Sequence, residues 1–517
     1  MNKQILNVAL VAPAAVAAVS CAQAESEAPK QPNVIVILAD DLGYGETGAY
    51  GATAVKTPNL DLLANGGVRF TDGHCTSATS TPSRYALFTG SYPWKNPRAK
   101  ILAGDAPLLI DVNQYTMPKM FQSKGYTTAA IGKWHLGMGS GNPNWNETVV
   151  PGANQIGFEY SCLIAATNDR VPTVYVENGD VVGLDPNDPI EVNYNKNYEG
   201  QPTGLDNPEL LKMHWAHGHN NTIVNGIPRI GFMKGGEAAK WVDEDMADYF
   251  VDKVDTFLEE NQDKPFFLYY GLHQPHVPRA PHSRFVGATT MGPRGDAIAE
   301  ADWCIGELIA NLEKRGLLEN TIIVFSSDNG PVMNDGYKDG AWEMLGDHKP
   351  TGGLRGGKYS LFDAGTRVPF FVYWKDTIKP SVSDALISQL DLLASFAQML
   401  GVTLPSDQVI DSEPHLDVFM GKSQTGRTDM VVEANGRMAY RMGKYAMIPP
   451  YSGPEVNNTG NEMGVVKNFS LYDLNADIAQ TTDLSSSNPE TLEKMKSEFL
   501  TLTKGYYNPE VEIEPLK

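Results

Sequence analysis

The sequence predicts an α/β fold, because buried strand patterns alternate with helical ones along the chain. The apolar, β-branched runs at residues 33–39 and 321–326 predict strands that are buried on both faces of a parallel sheet. A further strand is predicted at residues 266–270, and it follows the helical periodicity of residues 243–260. A second helical pattern, at residues 297–315, precedes the strand at 321–326. This order is typical of layered α/β domains.

The remaining patterns divide the chain into a large domain and a small one. Residues 139–236 are irregular and rich in Asn, Gly and Pro, which is typical of a functional insertion. The large domain also has a predicted helix at 117–123, strand at 127–131 and helix at 385–400. Short strand patterns at 430–432 and 444–447 predict a small α+β domain. We therefore expect a large N-terminal domain at 31–404 and a C-terminal domain at 405–517.

The first residues have the pattern of an export signal. A basic start leads into an apolar stretch that is too short to span a membrane and ends in small residues. Cleavage after Ala24 predicts a signal peptide over residues 1–24. The residues Ala18-Val19-Ser20-Cys21 resemble a loose lipobox instead, and that route removes residues 1–20 and leaves a lipid anchor on Cys21. Both routes predict a protein of the periplasm or of the cell surface and outer membrane.

The acidic composition restricts the partners of the protein. Its 517 residues include 41 Lys and Arg against 62 Asp and Glu, which gives a formal net charge of -21. Nucleic acid and anionic membrane surfaces are therefore poor partners, and an anionic substrate requires a pocket that gathers cations locally. After the export signal, no stretch is apolar and long enough to predict a transmembrane segment. The four cysteines lack zinc-type spacing, which argues against a zinc–cysteine site.

The strongest local pattern is the pentapeptide Ser80-Thr81-Pro82-Ser83-Arg84. Taken alone, it could be an ordinary helix start, with Ser80 as the N-cap and Pro82 in the first turn. Its form is Ser-x-Pro-x-Arg. Whether this pentapeptide marks a functional site depends on the other polar segments of the chain.

Two polar clusters follow the first and the last of the predicted buried strands. Asp40 and Asp41 come after the first strand, and Asp328 and Asn329 come after the last. Each pair alone could be a solvated turn. Because open α/β sheets bind ligands at the carboxyl ends of their strands, we expect the two pairs to form one site. Their oxygen atoms favour Ca²⁺, with Mg²⁺ as the alternative, over zinc.

These segments together resemble the motifs of type I sulfatases, the formylglycine-dependent family of the alkaline phosphatase superfamily. The resemblance covers nearly the whole mature chain and includes basic segments around Lys133, His276 and Lys358. It implies an alkaline-phosphatase-like α/β/α sandwich with a large mixed sheet, followed by the small C-terminal domain. It also implies a serine-type enzyme, in which a radical S-adenosylmethionine maturase oxidises Ser80 to formylglycine.

The resemblance implies a role for each site residue. The implied metal ligands are Asp40, Asp41, Ser80 as formylglycine, Asp328 and Asn329. The implied catalytic residues are Ser80, Arg84, Lys133, His135, His276 and Lys358. Either His276 or Lys358 would protonate the leaving alcohol, and His135 would be the base that releases sulfate. Together the basic residues supply the local positive charge that an acidic protein needs for an anionic substrate.

The substrate is predicted to be a sulfated oligosaccharide or monosaccharide from host glycans such as glycosaminoglycans or mucins. The segment before Lys358 resembles the branch of bacterial sulfatases that act on 6-O-sulfated galactose or N-acetylgalactosamine. The predicted sugar-binding residues are Asp169 and Arg170 in the insertion, and Asp347 and His348 in that segment. Directional polar groups of this kind discriminate between epimeric sugars.

Two other functions remain open at this stage. The first is a formylglycine-type phosphonate or phosphodiester hydrolase of the same superfamily. The second is a protein that binds sulfated glycans on a sulfatase scaffold without hydrolysing them, and it predicts the loss of one or more reactive positions. None of these positions is missing from the sequence, which favours the enzyme.

Overall fold

The structure, a computed structural model, describes Met1 and residues 31–511. Its strands, in chain order, are β1 (Asn33–Ala39), β2 (Val68–Phe70), β3 (Gly73–His74), β4 (Thr127–Lys133), β5 (Tyr160–Ile164), β6 (Tyr175–Glu177), β7 (Asp180–Val181), β8 (Glu191–Asn193), β9 (Ile223–Val224), β10 (Ile227–Pro228), β11 (Phe232–Lys234), β12 (Phe266–Gly271), β13 (Thr321–Ser327), β14 (Phe370–Trp374), β15 (Ser381–Ser383), β16 (Ile387–Ser388), β17 (Asp429–Ala434), β18 (Arg437–Met442), β19 (Tyr445–Ile448) and β20 (Ser470–Asp473). Its α-helices are α1 (Pro58–Gly66), α2 (Ser80–Thr89), α3 (Met117–Gln122), α4 (Met246–Glu260), α5 (Gly292–Lys314), α6 (Leu392–Leu400), α7 (Leu416–Phe419) and α8 (Pro489–Leu502). The predicted signal peptide and its two processing sites lie outside the described residues.

One mixed sheet of ten strands organises the chain from Pro32 onward. Its strand order is β15-β2-β14-β13-β1-β12-β4-β5-β6-β7. The central strands β13, β1, β12, β4 and β5 are parallel to one another, and the antiparallel strands β14 and β6 flank them. The predicted α/β class and the large mixed sheet are therefore confirmed.

Strand β1 is buried on both faces, as its apolar run predicts. Val34 and Val36 belong to one hydrophobic cluster, and Ile35 and Ile37 belong to the other. This alternation arises because successive side chains of a strand point to opposite faces. Helices α3 and α6 pack into the first cluster, and α4 and α5 pack into the second. The result is the α/β/α sandwich.

The predicted elements differ from the observed ones mainly at their ends. Helix α5 begins at Gly292, earlier than the periodicity indicated, with a proline in its first turn. The helix predicted at residues 385–400 begins only at Leu392, because Ile387–Ser388 pairs with Gly73–His74 as two short strands. Among the described residues, no helix is long and apolar enough to cross a membrane.

The irregular region at residues 139–236 is an ordered part of the fold. Strands β5, β6 and β7 extend the main sheet, whereas β8 pairs with β11 and β9 pairs with β10 in two small ribbons. A bridge between Arg170 and Ile230 joins distant parts of the region. The role of this region as a functional insertion stays a prediction, and its short strands gave no periodic signal in the sequence.

The C-terminal part forms a four-stranded antiparallel sheet in the order β17-β18-β19-β20, followed by α8. Met495 and Phe499 of α8 pack against this sheet in a buried cluster. Arg441 of β18 bridges to the large sheet region through ion pairs with Asp72, at 2.9 Å, and Asp363, at 3.0 Å. The small antiparallel sheet is confirmed, and the boundary between residues 404 and 405 stays a prediction.

Candidate active site

The predicted site residues converge at the carboxyl edge of the parallel strands. Asp40 follows β1, Asp328 follows β13, and Lys133 is the last residue of β4. His276 lies in the loop after β12. This edge is where open α/β sheets bind ligands. The predicted catalytic and metal-binding side chains that the structure buries there are Asp40, Asp41, Ser80, Arg84, Lys133, His135, His276, Asp328, Asn329 and Lys358.

Ser80 is the first residue of α2, a helix that is buried along its whole length. A helix N-terminus presents free backbone N–H groups and the positive end of the helix dipole, which suits an anion. One turn later, Arg84 donates from Nε to the Oγ of Ser80 at 3.1 Å. It also donates from Nη2 to Oδ2 of Asp328 at 2.8 Å and contacts the hydroxyl of Tyr269. Arg84 therefore fixes Ser80 relative to the carboxylate at the end of β13.

The four oxygen-bearing residues form a set that fits a cation. The backbone N–H of Asp41 donates to Oδ1 of Asp328 at 3.3 Å, and Nδ2 of Asn329 donates to Oδ1 of Asp41 at 2.7 Å. Oδ1 of Asp40 and Oδ1 of Asn329 are buried without a hydrogen-bond partner among the described residues. Buried polar atoms without a partner are uncommon and require an explanation. An oxygen-rich set of this kind suits a hard divalent cation.

A nitrogen atom lies beside these oxygens. Ligand atoms of Asp40, Asp41 and His276 lie within 4.8 Å of one another. The Nε2 of His276 is 3.9 Å from Oδ2 of Asp41, which is longer than a hydrogen bond. The two partnerless atoms are both oxygens, so the oxygen-bearing residues offer ligands for a cation and His276 lies at the margin of this set.

Three residues of the site have left-handed backbone conformations. They are Asp41 (φ 64°), His135 (φ 56°) and Tyr359 (φ 72°). Residues other than glycine rarely adopt this region, and each one costs about 1–3 kcal/mol. Such strain persists only where surrounding contacts determine the conformation, and it concentrates at functional sites.

A close approach of two strands directs Lys133 to the carboxylates. Gly132 has a φ of 103°, and a Cβ atom there would lie 2.0 Å from the carbonyl oxygen of Gly271, so the position requires glycine. The Nζ of Lys133 lies 2.6 Å from Oδ2 of Asp40 and 3.5 Å from Oδ2 of Asp328. Burial lowers the pKa of Lys133, and the carboxylates only partly oppose this.

Asp328 remains ionised despite its burial. Burial alone would raise the pKa of Asp328, but Lys133 and Arg84 outweigh it and hold this pKa well below its ordinary value. The carboxylate at the end of β13 is therefore available to a cation at neutral pH.

Lys358 is held between two carboxylates. Its Nζ lies 2.9 Å from Oδ2 of Asp41 and 2.7 Å from Oδ2 of Asp335. The hydroxyl of Tyr359 also donates to Asp335, at 3.1 Å. Burial would lower the pKa of Lys358, but Asp335 and Asp41 outweigh it and raise the pKa well above its ordinary value. Asp335 was missed in the sequence, although its place in the loop after β13 was a signal that could have revealed it.

His276 is neutral in this environment. Burial, followed by the charge of Lys358, lowers the pKa of His276 to about 4. Its Nδ1 lies 2.6 Å from the carbonyl oxygen of Val277. A carbonyl oxygen only accepts hydrogen bonds, so the proton of the neutral ring is on Nδ1 and Nε2 faces Asp41 unprotonated.

His135 is also neutral, with the opposite tautomer. Burial, followed by the charge of Lys133, holds the pKa of His135 well below its ordinary value. Its Nε2 lies 3.0 Å from the carbonyl oxygen of Leu102, so Nε2 carries the proton. Its Nδ1 has no hydrogen-bond partner within the part of the chain that the structure describes. This nitrogen can accept a proton.

Several of these side chains border one cavity of about 460 Å³. Ser80, His135, His276 and Lys358 lie on its wall, together with Asp335 and Tyr359. The loop at residues 93–103, the insertion and the C-terminal part supply the other walls. The volume falls within the range of about 300–1,000 Å³ that is usual for small-molecule sites.

The insertion brings the predicted Asp169 and Arg170 to this cavity. Nη1 of Arg170 donates to Oδ1 of Asp169 at 3.1 Å, and Nε2 of His219 lies 2.9 Å from its Oδ2. Burial would raise the pKa of Asp169, but Arg170 and His276 outweigh it, so the pKa lies well below its ordinary value. His219 also lines the cavity, and nothing in its irregular sequence context indicated this.

The structure does not bring Asp347 and His348 to the cavity, which corrects their predicted role as sugar contacts. Asp347 is exposed, and neither residue is part of the cavity wall. His348 is buried, with Nε2 at 3.7 Å from Oε1 of Glu46. Glu46 in turn accepts from the backbone N–H of Gly43, so His348 packs against the loop that follows Asp41. The sequence pattern could not show which side chains of the segment around Asp347 and His348 face the cavity.

Comparison with known families identifies this arrangement. The model of the sulfatase family matches residues 32–402, which is most of the chain. The protein therefore belongs to the sulfatase family, whose members hydrolyse sulfate esters. The predicted enzyme class and the predicted fold are both confirmed.

Individual relatives span nearly the same length. An N-acetylgalactosamine-6-O-sulfatase of Bacteroides thetaiotaomicron is 48% identical over 92% of this chain and 93% of its own length. Human arylsulfatase A is 30% identical over 94% of this chain and 90% of its own length. A solved structure from the metabolism of multiple glycosaminoglycans by B. thetaiotaomicron superimposes with a TM-score of 0.90 at 47% identity, over 92% of this chain and 99% of that one.

Proposed function

We propose that the protein hydrolyses sulfate esters of carbohydrates, with 6-O-sulfated galactose or N-acetylgalactosamine in glycans as the substrate. The observation that carries the proposal is the placement of Ser80. It begins a buried helix, is tied by Arg84 to Asp328, and borders a cavity wide enough for a sugar. The N-acetylgalactosamine-6-O-sulfatase that is 48% identical over nearly the whole length supports the sugar and the sulfate position.

We propose that a radical S-adenosylmethionine maturase converts Ser80 to formylglycine. A serine hydroxyl is a weak nucleophile at its own pKa, which is why the unmodified residue is a poor catalyst. The hydrated aldehyde supplies a more reactive oxygen for attack on sulfur. Arg84 orients this side chain through the hydrogen bond that it already makes to Oγ.

A single divalent cation, Ca²⁺ in preference to Mg²⁺, fits the oxygen-bearing residues of the site. The proposed ligands are Asp40, Asp41, Asp328, Asn329 and the modified Ser80. When bound, the ion polarises the sulfate group and the attacking oxygen. The partnerless oxygens of Asp40 and Asn329 support this assignment.

The basic side chains stabilise the charge of the sulfate group and supply the proton for the leaving oxygen. Lys133 and Lys358 offset its negative charge from within a buried, low-dielectric site, where such contacts are strong. As the bond between sulfur and the sugar oxygen breaks, that oxygen must receive a proton. Nζ of Lys358 is already protonated, whereas Nε2 of His276 must first take up a proton, which a neighbouring sulfate would favour. We keep both residues as candidate donors.

His135 is the proposed base for the release of sulfate. His135 borders the same cavity as Ser80, and its unprotonated Nδ1 is unused in hydrogen bonding among the described residues. It can take the proton of the second hydroxyl when the bond between the side-chain carbon and the sulfate oxygen breaks and the aldehyde returns.

Asp169 and Arg170 are the proposed sugar contacts. The ionised carboxylate of Asp169 accepts hydrogen bonds from sugar hydroxyls, and Arg170 donates them. A site built around such directional groups rejects a sugar whose hydroxyl points elsewhere. These residues therefore support discrimination between galactose-type and glucose-type sugars.

The experiment is a substrate screen with protein that has been co-expressed with a radical S-adenosylmethionine maturase. It compares 6-, 4-, 3- and 2-O-sulfated monosaccharides and oligosaccharides of the galactose and glucose series, together with a phosphate monoester. We expect the highest kcat/KM on galactose-type 6-sulfates. No turnover of any galactose-type 6-sulfate would contradict the substrate, and a clear preference for phosphate would contradict the reaction.

Export to the periplasm or cell surface, with or without a lipid on Cys21, is also part of the proposal. It rests on the sequence of residues 1–24 alone. The mass of the mature N-terminal peptide distinguishes cleavage after Ala24 from lipidation of Cys21. An unprocessed N-terminus in the native host would contradict export.

A further inference from the structure

We infer that the cavity contains a second sugar-binding wall, formed by Trp94, Tyr506 and Asn435, which takes the neighbouring sugar unit of the same glycan chain. This inference rests on the proposed function, because it assumes a carbohydrate substrate. It goes beyond that function by predicting that the enzyme recognises a chain rather than a lone sulfated monosaccharide.

The wall lies on the same cavity as Ser80 but belongs to different parts of the chain. Trp94 lies in a short 3-10 helix, Pro93–Lys95, after α2. Asn435 lies in the turn between β17 and β18, and Tyr506 follows α8. The ring of Trp94 stacks on Tyr92, with centroids 5.3 Å apart, and meets the edge of Tyr506 at 5.2 Å. The aromatic surface is therefore continuous between the large sheet region and the C-terminal sheet region.

The hydrophobic core does not account for the positions of the two aromatic residues of the wall. Trp94 is half-buried, and Tyr506 remains 48% exposed. A single exposed aromatic residue is unremarkable, but here it continues the wall of a cavity whose other end holds the reacting groups. The volume of about 460 Å³ is that of pockets that take ligands of drug size.

The chemistry of the wall suits a sugar ring. One face of a pyranose carries C–H groups that pack on aromatic rings, while its edge carries hydroxyls that need hydrogen-bond partners. Asn435 lies on this wall, and its Nδ2 is buried without a hydrogen-bond partner in the described part of the chain. Asn435 itself has a backbone φ of 51°, which is a turn conformation that asparagine tolerates and not a strand conformation.

The adjoining segment at residues 93–103 carries three basic residues, Lys95, Arg98 and Lys100. Nζ of Lys95 pairs with Oδ1 of Asp411 at 2.5 Å, so the charge of Lys95 is already offset. Lys100 is part of the cavity wall. A cation on the wall of the cavity attracts an anionic chain.

The test compares the variants Trp94→Ala and Tyr506→Ala on two substrates, a 6-O-sulfated monosaccharide and an oligosaccharide that carries the same sulfated sugar. We expect kcat/KM on the oligosaccharide to fall about tenfold, mainly through KM, which is the scale of one lost aromatic contact. We expect kcat/KM on the monosaccharide to remain at the wild-type value. Trp342→Ala is the matched control, since Trp342 is 49% exposed and lies off the cavity wall.

Each outcome separates this inference from the proposed function. Equal losses on both substrates, or no loss on the oligosaccharide, would overturn the second wall while leaving the sulfatase intact. If the wild-type protein cleaves neither sugar, the proposed function itself fails. Trp94→Ala could destabilise the fold through its contact with Tyr92, so thermal melting accompanies the kinetics. The exposed Tyr506 keeps the test valid in that case, because its replacement removes no buried side chain.

Discussion

Nε of Arg84 lies 3.1 Å from Oγ of Ser80, one helical turn away, on a helix that is buried throughout. The same guanidinium also binds Asp328, which follows strand β13 and lies 244 residues later in the sequence. The Ser-x-Pro-x-Arg pattern thus has a geometric meaning. The spacing of four residues places the arginine over the serine on one face of the helix.

Replacing Arg84 with lysine tests this geometry. Lysine keeps the charge but lacks the planar fork that reaches Ser80 and Asp328 together. We expect kcat on a sulfated sugar to fall by about 100-fold or more, as for the loss of other preorganised donors. The mass of the Ser80 peptide is the control, because it shows whether the variant is still oxidised. Wild-type turnover by a fully oxidised Arg84→Lys protein would refute the proposed role.

Removal of the metal should abolish activity and lower the melting temperature. After chelation, the carboxylates of Asp40, Asp41 and Asp328 lie close together without a cation between them. The folded state also loses the stability that ligand binding contributes. We expect Ca²⁺ to restore both properties at lower concentration than Mg²⁺. The readouts are steady-state kinetics and thermal melting after chelation. A chelated protein with unchanged activity and melting temperature would exclude the cation site.

Asp169→Asn and Asp347→Asn form a matched pair that tests the corrected substrate site. Asp169 lines the cavity, whereas Asp347 is exposed outside it. Loss of a charged hydrogen-bonding group at Asp169 should cost about 1.5–3 kcal/mol, which is a fall in kcat/KM of about 10- to 160-fold. Asp347→Asn should leave kcat/KM unchanged. The reverse result would restore the role that the sequence suggested for Asp347.

The sequence predicted which side chains meet at the sheet edge better than which side chains line the cavity, for a physical reason. Asp40, Asp328 and Lys133 end apolar strands, so their position at one sheet edge follows from strand direction alone. His219 lies in an irregular segment, where no periodicity indicates which side chain faces the cavity. Asp347 and His348 were misplaced for the same reason.

The secondary-structure elements also differ in how well the sequence predicted them. Long apolar strands such as β1 and β13 were predicted almost to their last residue, because burial on both faces leaves an uninterrupted pattern. The short strand β16 was taken as the start of a helix. Its pairing with β3 is a contact between segments far apart in sequence, which a local pattern cannot reveal.

Glu300 provides a prediction about stability that is independent of catalysis. Burial raises the pKa of Glu300 from 4.5 to about 7, although His282 and Gln274 donate hydrogen bonds to it. A carboxyl group whose folded pKa is raised contributes stability that is fully present below pH 4.5 and is lost as the pH rises through 7. At pH 8.5 the wild-type protein should therefore have lost this contribution, which is about 3 kcal/mol.

Glu300→Gln should remove that dependence, because glutamine does not titrate. Oε1 of Gln274 has no partner among the described residues, so a flip of this amide can accommodate the new donor. We expect the free energy of unfolding of the variant, relative to the wild type, to increase between pH 5 and pH 8.5. Urea denaturation of both proteins at the two pH values measures this. Parallel pH profiles would show that Glu300 ionises without penalty.

The most direct measurement of the central claim is the mass of the peptide that contains Ser80, taken from protein of known specific activity. Conversion to formylglycine removes two hydrogens, so we predict a peptide about 2 Da lighter than the encoded one. Specific activity on the 6-sulfated sugar should rise in proportion to the fraction of lighter peptide, and Ser80→Ala should be inactive. A fully active protein in which Ser80 is unmodified would contradict the account.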